Sequence, residues 1–244
     1  MKILCNALIF AGAFAVATTG AQAAKYKEMT VSGGGSIAGK VSAGSAKAQT
    51  KSYTISKDPQ ICGTGSRELP LVRVNGDALL DSVVYLEKVK AGKAFPAGLK
   101  KLTINQKKCE FVPYLSVMAN QGVLEAVNSD STLHNIHTYE LIKKARRTVL
   151  NISQPEAGSV VEKKIKLRKG TAMKVECDAH DFMHAFVFVA KNPYFAVVDD
   201  KGEFEIKDVP AGKYTIKVWH GTLGTKKGTV DVKGGAAASV NFSY

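Results

Sequence analysis

The stretch Cys177–Phe186, CDAHDFMHAF, sets a cysteine, a histidine and a methionine three residues apart in turn: Cys177, His180 and Met183. About forty residues earlier, NSDSTLHNIHTYE contributes His134 and His137. One thiolate, two imidazoles and a thioether form a mixed soft and borderline donor set. It suits copper held by two histidines and a cysteine in a trigonal plane, with a weak, long axial methionine. Such a set serves both Cu(I) and Cu(II) with little rearrangement, so single electrons pass easily. Zinc accepts the same residues but gains little from a thioether. A cysteine, methionine or histidine taken alone is more often a core or surface residue. Here four of the chain's five histidines fall in these two stretches, which sets the cluster apart.

The elements that must position these donors are strands. Cys177 ends the strand-like run TAMKVEC, Asp178–Met183 form a tight loop, and HAFVFVA returns as the next strand. A loop this short can gather Cys177, His180 and Met183 around one ion. The fourth donor comes from elsewhere, and His134 supplies it. His134 and His137 point to opposite faces of a strand, so at most one of them is a ligand. His184 follows Met183 directly and is the alternative donor for the last position.

Period-two alternation runs through most of the rest, in KYTIKVWH, EFEIKDV, TVDVK and the terminal SVNFSY. VVDDKGEFEI carries Asp-Lys-Gly between two such runs, a hairpin signal. Val83-Val84-Tyr85 makes GDALLDSVVYLEKVK a buried strand rather than an amphipathic helix. The segment before Gly33 and the Gly/Ser/Ala-rich Ser42–Thr50 read as loops. The expected fold class is all-β, of sandwich type. Gly/Pro-containing connections near residues 90–98 and 190–193 bracket the segment that carries the donors.

The first 23 residues, with Lys2, an apolar run and Ala21-Gln22-Ala23, read as a secretory signal peptide. The apolar run is too short to span a bilayer. Export to a periplasmic compartment favours disulfides. Cys5 leaves with the leader, and three cysteines remain. Cys62 and Cys109 lie in ordinary polar surroundings and are expected to pair, leaving Cys177 as a free thiolate. The net charge of +13 is spread over many lysine and arginine pairs. It reads as a solvated surface or as a field that steers an acidic partner protein. An exported chain without a binding motif makes nucleic acid an unsuitable partner. No G-x-S-x-G motif is present.

Two resemblances follow. The segment 97–190 resembles a cupredoxin, a type 1 blue copper protein. The amicyanin subtype fits best, through the Cys-x-x-His-x-x-Met loop CDAHDFM and the His-Asn-x-His stretch HNIH. The resemblance implies a Greek-key β-sandwich holding one type 1 copper. His134, Cys177 and His180 are then equatorial ligands, Met183 is axial, Asn135 braces the ligand loop, and His180 lies nearest solvent as the electron port. Gly122 and Asn128 match the strand that leads into the first ligand histidine. Asp181 departs from the proline usual after the loop histidine, and His184 after Met183 leaves the last ligand open.

Residues 24–95 together with 192–244 resemble a carboxypeptidase-regulatory-like, or transthyretin-like, β-sandwich. GSIAGKV, DSVVYLE and the passage YFAVVDDKGEFEIKDVPAGKYTIKVWH carry that likeness, with Val198 where threonine is usual. The copper domain is then an insertion in the second sandwich. Together these imply an exported electron carrier rather than an enzyme. Its implied partners are a periplasmic dehydrogenase or a c-type cytochrome with an acidic docking face. A copper chaperone or store, and a binding module with a structural metal, are the rival readings. His137 and His220 have no assigned role.

Overall fold

The computed structural model describes residues 26–244, so the expected signal peptide lies outside the described residues. The alternation read from the sequence becomes strands, and the strands form two β-sandwiches. Between residues 97 and 190 a four-stranded sheet has the order Phe111–Val112, Lys101–Gln106, Val123–Asn128, Val160–Lys164. It faces a five-stranded sheet in the order Leu115–Ala119, His184–Ala190, Ala172–Glu176, His134–Ile142, Ala145–Gln154. In Val123–Asn128 every second residue, Leu124, Ala126 and Asn128, points inward and is buried. Leu124 and Ala126 meet Ile104, Met118, Ile136, Met173, Val175 and Val187 in one core. Gly122, just before that strand, has no room for a side chain. A Cβ there would stand 2.9 Å from the carbonyl oxygens of Ala119 and Lys100.

The other sandwich draws its strands from both ends of the chain. Gly35–Ser42 pairs with Glu203–Val209, with Ile37 opposite Ile206. Ser82–Leu86 pairs with both Phe195–Val197 and Gly212–His220, and the last of these pairs with Gly224–Val232. Ile37, Leu79, Val84, Leu86, Phe204, Ile216 and Val218 fill its core. Among the described residues, no strand of the span 97–190 pairs with a strand outside it.

Ser82–Leu86 is buried along its whole length because both of its faces are covered. Val84 and Leu86 face their own sandwich. Val83 and Tyr85 belong to a bridging cluster with Ala172, Phe186, Phe188, Ala190 and Trp219. The Tyr85 and Phe188 rings lie 4.9 Å apart. This cluster joins the two sandwiches through aromatic packing.

Two local expectations change. A turn does form at Asp199–Gly202, where the Asp199 carboxylate accepts the N–H groups of Lys201 and Glu203. However, the flanking strands enter different sheets, so the segment is a corner between layers and not a hairpin. The Gly/Ser/Ala-rich stretch is a loop only in part. Gln49–Thr54 is a strand and pairs with Ser66–Val72 as a polar hairpin. The short helix Pro59–Cys62 lies between these two strands. This hairpin and helix form a strap whose Tyr53, Ile55 and Ile61 pack on the core of the 97–190 sandwich.

Candidate metal centre

His134 opens a strand, Cys177 follows the end of its neighbour, and His180 sits in the turn beyond. The loop leading into His134 is held by Asn128. Its amide donates to the carbonyls of Thr132 and Gln154 at 2.9 Å, and its oxygen accepts the Asp130 N–H at 3.0 Å. Three donor atoms converge as a result. The Nδ1 atoms of His134 and His180 stand 3.1 Å apart, and Cys177 Sγ lies 4.0 and 3.7 Å from them. A triangle of these sides has a circumradius of about 2.1 Å, so one point sits at metal–nitrogen distance from both imidazoles and within about 0.2 Å of a metal–sulfur distance from Sγ.

The tautomers sharpen this. His134 donates its Nε2–H to Asp130 at 2.9 Å, and His180 donates its Nε2–H to Asp58 at 2.8 Å. An ionised carboxylate only accepts, so both Nδ1 atoms are left as acceptors. Two lone pairs that face each other at 3.1 Å repel unless a cation, either a metal ion or a proton, lies between them. A ligand imidazole that donates its other N–H to a carboxylate is also the usual arrangement at metal sites. The residues present therefore fit a metal.

The electrostatics agree. Burial lowers the pKa of His134 beyond what Asp130 restores, so the ring is neutral and available. Burial pushes the Cys177 thiol up despite the N–H groups directed at it, including that of Asn135 at 3.4 Å. A bound cation is what would draw off its proton. Burial also works to raise the Asp130 carboxyl. The N–H groups of Cys109, His134 and Lys108 outweigh it, so the pKa is lowered and the group is ionised.

A model of the family described as Polysaccharide lyase family 4, domain II, matches residues 169–240. No curated protein matches the chain. Several solved structures are similar to part of it. A purple cupredoxin from Nitrosopumilus maritimus is 17% identical, with 36% of this chain and 98% of that one covered, at a TM-score of 0.31. Amicyanin from Paracoccus versutus is 17% identical, with 39% and 84% covered, at 0.27. A copper-containing nitrite reductase from Thermus scotoductus SA-01 is 14% identical, at 0.30, with 42% of this chain covered and only 24% of the reductase.

Asn135 ties the two ligand stretches together. Its side-chain oxygen accepts the Asp178 N–H, and its amide donates to Asn151 at 2.6 Å and to the Asp178 carboxylate at 3.0 Å. Met183 is 1% exposed and shares a core cluster with Cys177, and its N–H closes the loop on the His180 carbonyl at 3.1 Å. His184 is not brought into the donor cluster. Its Nε2 meets the Asp181 carbonyl at 2.6 Å and Tyr53 Oη at 3.2 Å, and its Nδ1 faces Glu176. His137 also points away, onto Asp178 at 3.0 Å, with its ring stacked on Tyr139. Cys62 and Cys109 form a disulfide, and Cys177 is free and buried. Cys109, Asp130 and His134 also lie close together, but an oxidised Cys109 is no ligand.

One expectation is overturned. His180 is only 1% exposed, so it is not a solvent-facing ligand. The strap lies over it and presents Asp58. Sequence reasoning passed over Asp58 and Asp130. The available signals were an acidic residue four positions before His134 and an Asp-Pro step at residues 58–59.

Proposed function

We propose that this chain is an exported mononuclear copper protein that carries single electrons between redox partners. In this reading residues 97–190 are a copper domain inserted in the sandwich formed by 24–95 and 192–244. The observation that carries it is the convergence of two carboxylate-backed imidazoles and one thiol on a single point. Copper in such a set of donors supplies a one-electron couple with little change of geometry.

The protein's own residues do the rest. Asp130 and Asp58 hold each imidazole with Nδ1 inward. The Asn135 N–H supports the sulfur, the Asn135 side chain fixes Asp178 beside it, and the apolar core around Met183 excludes water. The basic surface favours partners with an acidic face, such as a c-type cytochrome or a periplasmic dehydrogenase. No substrate bond is made or broken by these groups, so the reading is of a carrier and not of an enzyme.

The full burial of His180 favours one alternative, a periplasmic copper store or chaperone that keeps its ion closed off from solvent. Absorption and electron paramagnetic resonance spectra of the Cu(II)-loaded protein, beside Cys177→Ala, test the proposal. An intense visible thiolate band with narrow copper hyperfine splitting, lost in the variant, supports electron transfer. A colourless protein that passes Cu(I) to an acceptor chelator moves the chain to copper handling. Zinc held in preference to copper moves it to a structural metal.

A further inference from the structure

The resemblance counts the strap, residues 49–72, with the second sandwich, yet the strap contacts the centre in the span 97–190 directly. Asp58 lies 122 positions before His180 and accepts its Nε2–H at 2.8 Å. The residue sits in the left-handed region at φ 49°, and its carbonyl accepts the N–H groups of Ile61 and Cys62 at 2.9 and 2.8 Å. Four separate contacts hold this piece of chain in place. Cys62 is bonded to Cys109. Arg67 gathers the carbonyls of Cys62, Cys109 and Lys108 at 2.8, 2.6 and 3.1 Å. The same guanidinium stands 5.0 Å above the Phe182 ring, inside the ligand loop. Tyr53 packs on His184 with ring centres 5.7 Å apart. A cavity of about 170 Å³ remains between Ser66–Val72 and the loop, lined by Arg67, Tyr114, Phe182, Met183 and His184.

The disulfide sits between two equivalent devices. On its Cys109 side, the Cys109 N–H donates to Asp130 at 2.8 Å, and Asp130 accepts from His134. On its Cys62 side, the helix leads back to Asp58, which accepts from His180. We propose that Asp58 is a positioning residue of the metal centre: the disulfide-anchored strap delivers its carboxylate to His180, holds that imidazole with Nδ1 inward, and closes the site to water.

This rests on the proposed copper site. It adds that a remote segment completes the site and sets its poise. A second carboxylate behind an imidazole adds negative charge beside the ion. That charge favours the more positive oxidation state, Cu(II) over Cu(I). Removing it therefore raises the reduction potential. Asn and Asp both tolerate the left-handed backbone at this position, so Asp58→Asn keeps the fold and an acceptor oxygen while removing the charge. Asp58→Ala removes both.

The experiment uses the full chain. The reduction potential of the copper-loaded wild type, Asp58→Asn and Asp58→Ala is measured, with the rate at which a strong chelator strips the metal. In metal-free protein the His180 ring N–H is followed by NMR. The expected result is a tenfold or greater loss of Cu(II) relative to Cu(I) affinity in both variants, an upward shift of about 59 mV or more for a one-electron couple. Stripping accelerates at least tenfold in Asp58→Ala and less in Asp58→Asn. The slowly exchanging ring N–H of the wild type is lost in Asp58→Ala. Potentials and stripping rates within twofold-equivalent of wild type, or a ring N–H unaffected by either variant, overturn the proposal. Should the wild type take up no copper, the functional reading falls. The ring N–H then still decides whether Asp58 holds His180.

Discussion

Asp130→Asn tests how the centre is held. The Asp130 side chain is 8% exposed, and it takes three hydrogen bonds. One oxygen accepts the Lys108 N–H at 2.7 Å, and the other accepts the Cys109 N–H at 2.8 Å and His134 Nε2–H at 2.9 Å. Asparagine is nearly the same shape but has one acceptor oxygen. Its best placement keeps that oxygen on Cys109 and His134 and turns its amide toward the Lys108 N–H, donor against donor. One charge-assisted bond worth about 1.5–3 kcal/mol is lost, a donor is orphaned, and the other two bonds lose their charge. The metal-free protein should lose about 2–4 kcal/mol, which lowers Tm by roughly 5–15 °C for a chain of this size. Copper affinity should fall tenfold to a hundredfold, because the His134 tautomer and ring angle are no longer fixed. Denaturant unfolding of the metal-free variant and competition with a chelator of known affinity give the two numbers. Unfolding within 0.5 kcal/mol of wild type, with unchanged copper affinity, would refute the role given to Asp130.

Three further outcomes concern groups that are not metal donors. Glu140 is buried and accepts the N–H groups of Arg168, Lys169 and Gly170 as well as the Arg147 guanidinium. Burial alone raises its pKa, but Arg147 and the Gly170 and Lys169 N–H groups outweigh that and leave it lowered. Glu140→Gln should cost about 2–3 kcal/mol near pH 7 by urea unfolding. The difference from wild type should shrink as pH falls below the unfolded value of about 4.3 and through the lower folded one. His220 is held neutral by burial, with its pKa pushed down to about 4, and its Nδ1 accepts the N–H groups of Thr222 and Leu223 at 3.1 Å. Stability from this group is complete above its unfolded value of about 6.5 and declines as pH falls toward 4, and urea unfolding of His220→Gln should show a shallower acid limb. The Cys62–Cys109 bond closes a separation of 47 residues, so Cys62→Ser with Cys109→Ser should lose about 4 kcal/mol on the chain-entropy estimate, read as a lower urea midpoint.

The residues that converge, His134, Cys177 and His180, stood out in the sequence because metal chemistry restricts residue type. The seven residues from Cys177 to Met183 are too few to carry Cys177 and His180 far apart. Most strands were legible because one buried face writes a period of two. That period does not say which sheet a strand joins, which is why the Asp-Lys-Gly turn looked like a hairpin and is a corner. Gln49–Thr54, QTKSYT, is almost wholly polar and exposed, so no pattern announced it. The two carboxylates were hidden for a related reason. An acidic residue in a loop is usually solvated, and only the folded chain shows Asp130 buried behind His134 and Asp58 laid across His180.

These hidden groups change what the centre can be. The donors alone describe a set of ligands on the rim of one sandwich, with His180 open to whatever docks there. The strap converts that rim into an interior: His134, Cys177, His180 and Met183 are each 3% exposed or less. Three features hold the cover in one position, because the disulfide fixes its base, Arg67 ties both cysteine carbonyls, and Asp58 reaches the imidazole itself. A carboxylate held this way gains its position from the disulfide-anchored strap, which in turn rests on the ligand loop through Phe182 and His184. Asp181, in place of a stiffening proline, is then tolerable, because the loop it sits in is clamped from outside by Phe182 under Arg67 and His184 against Tyr53. Rigidity that a compact ligand loop would otherwise supply is supplied here by a segment more than a hundred residues away in sequence.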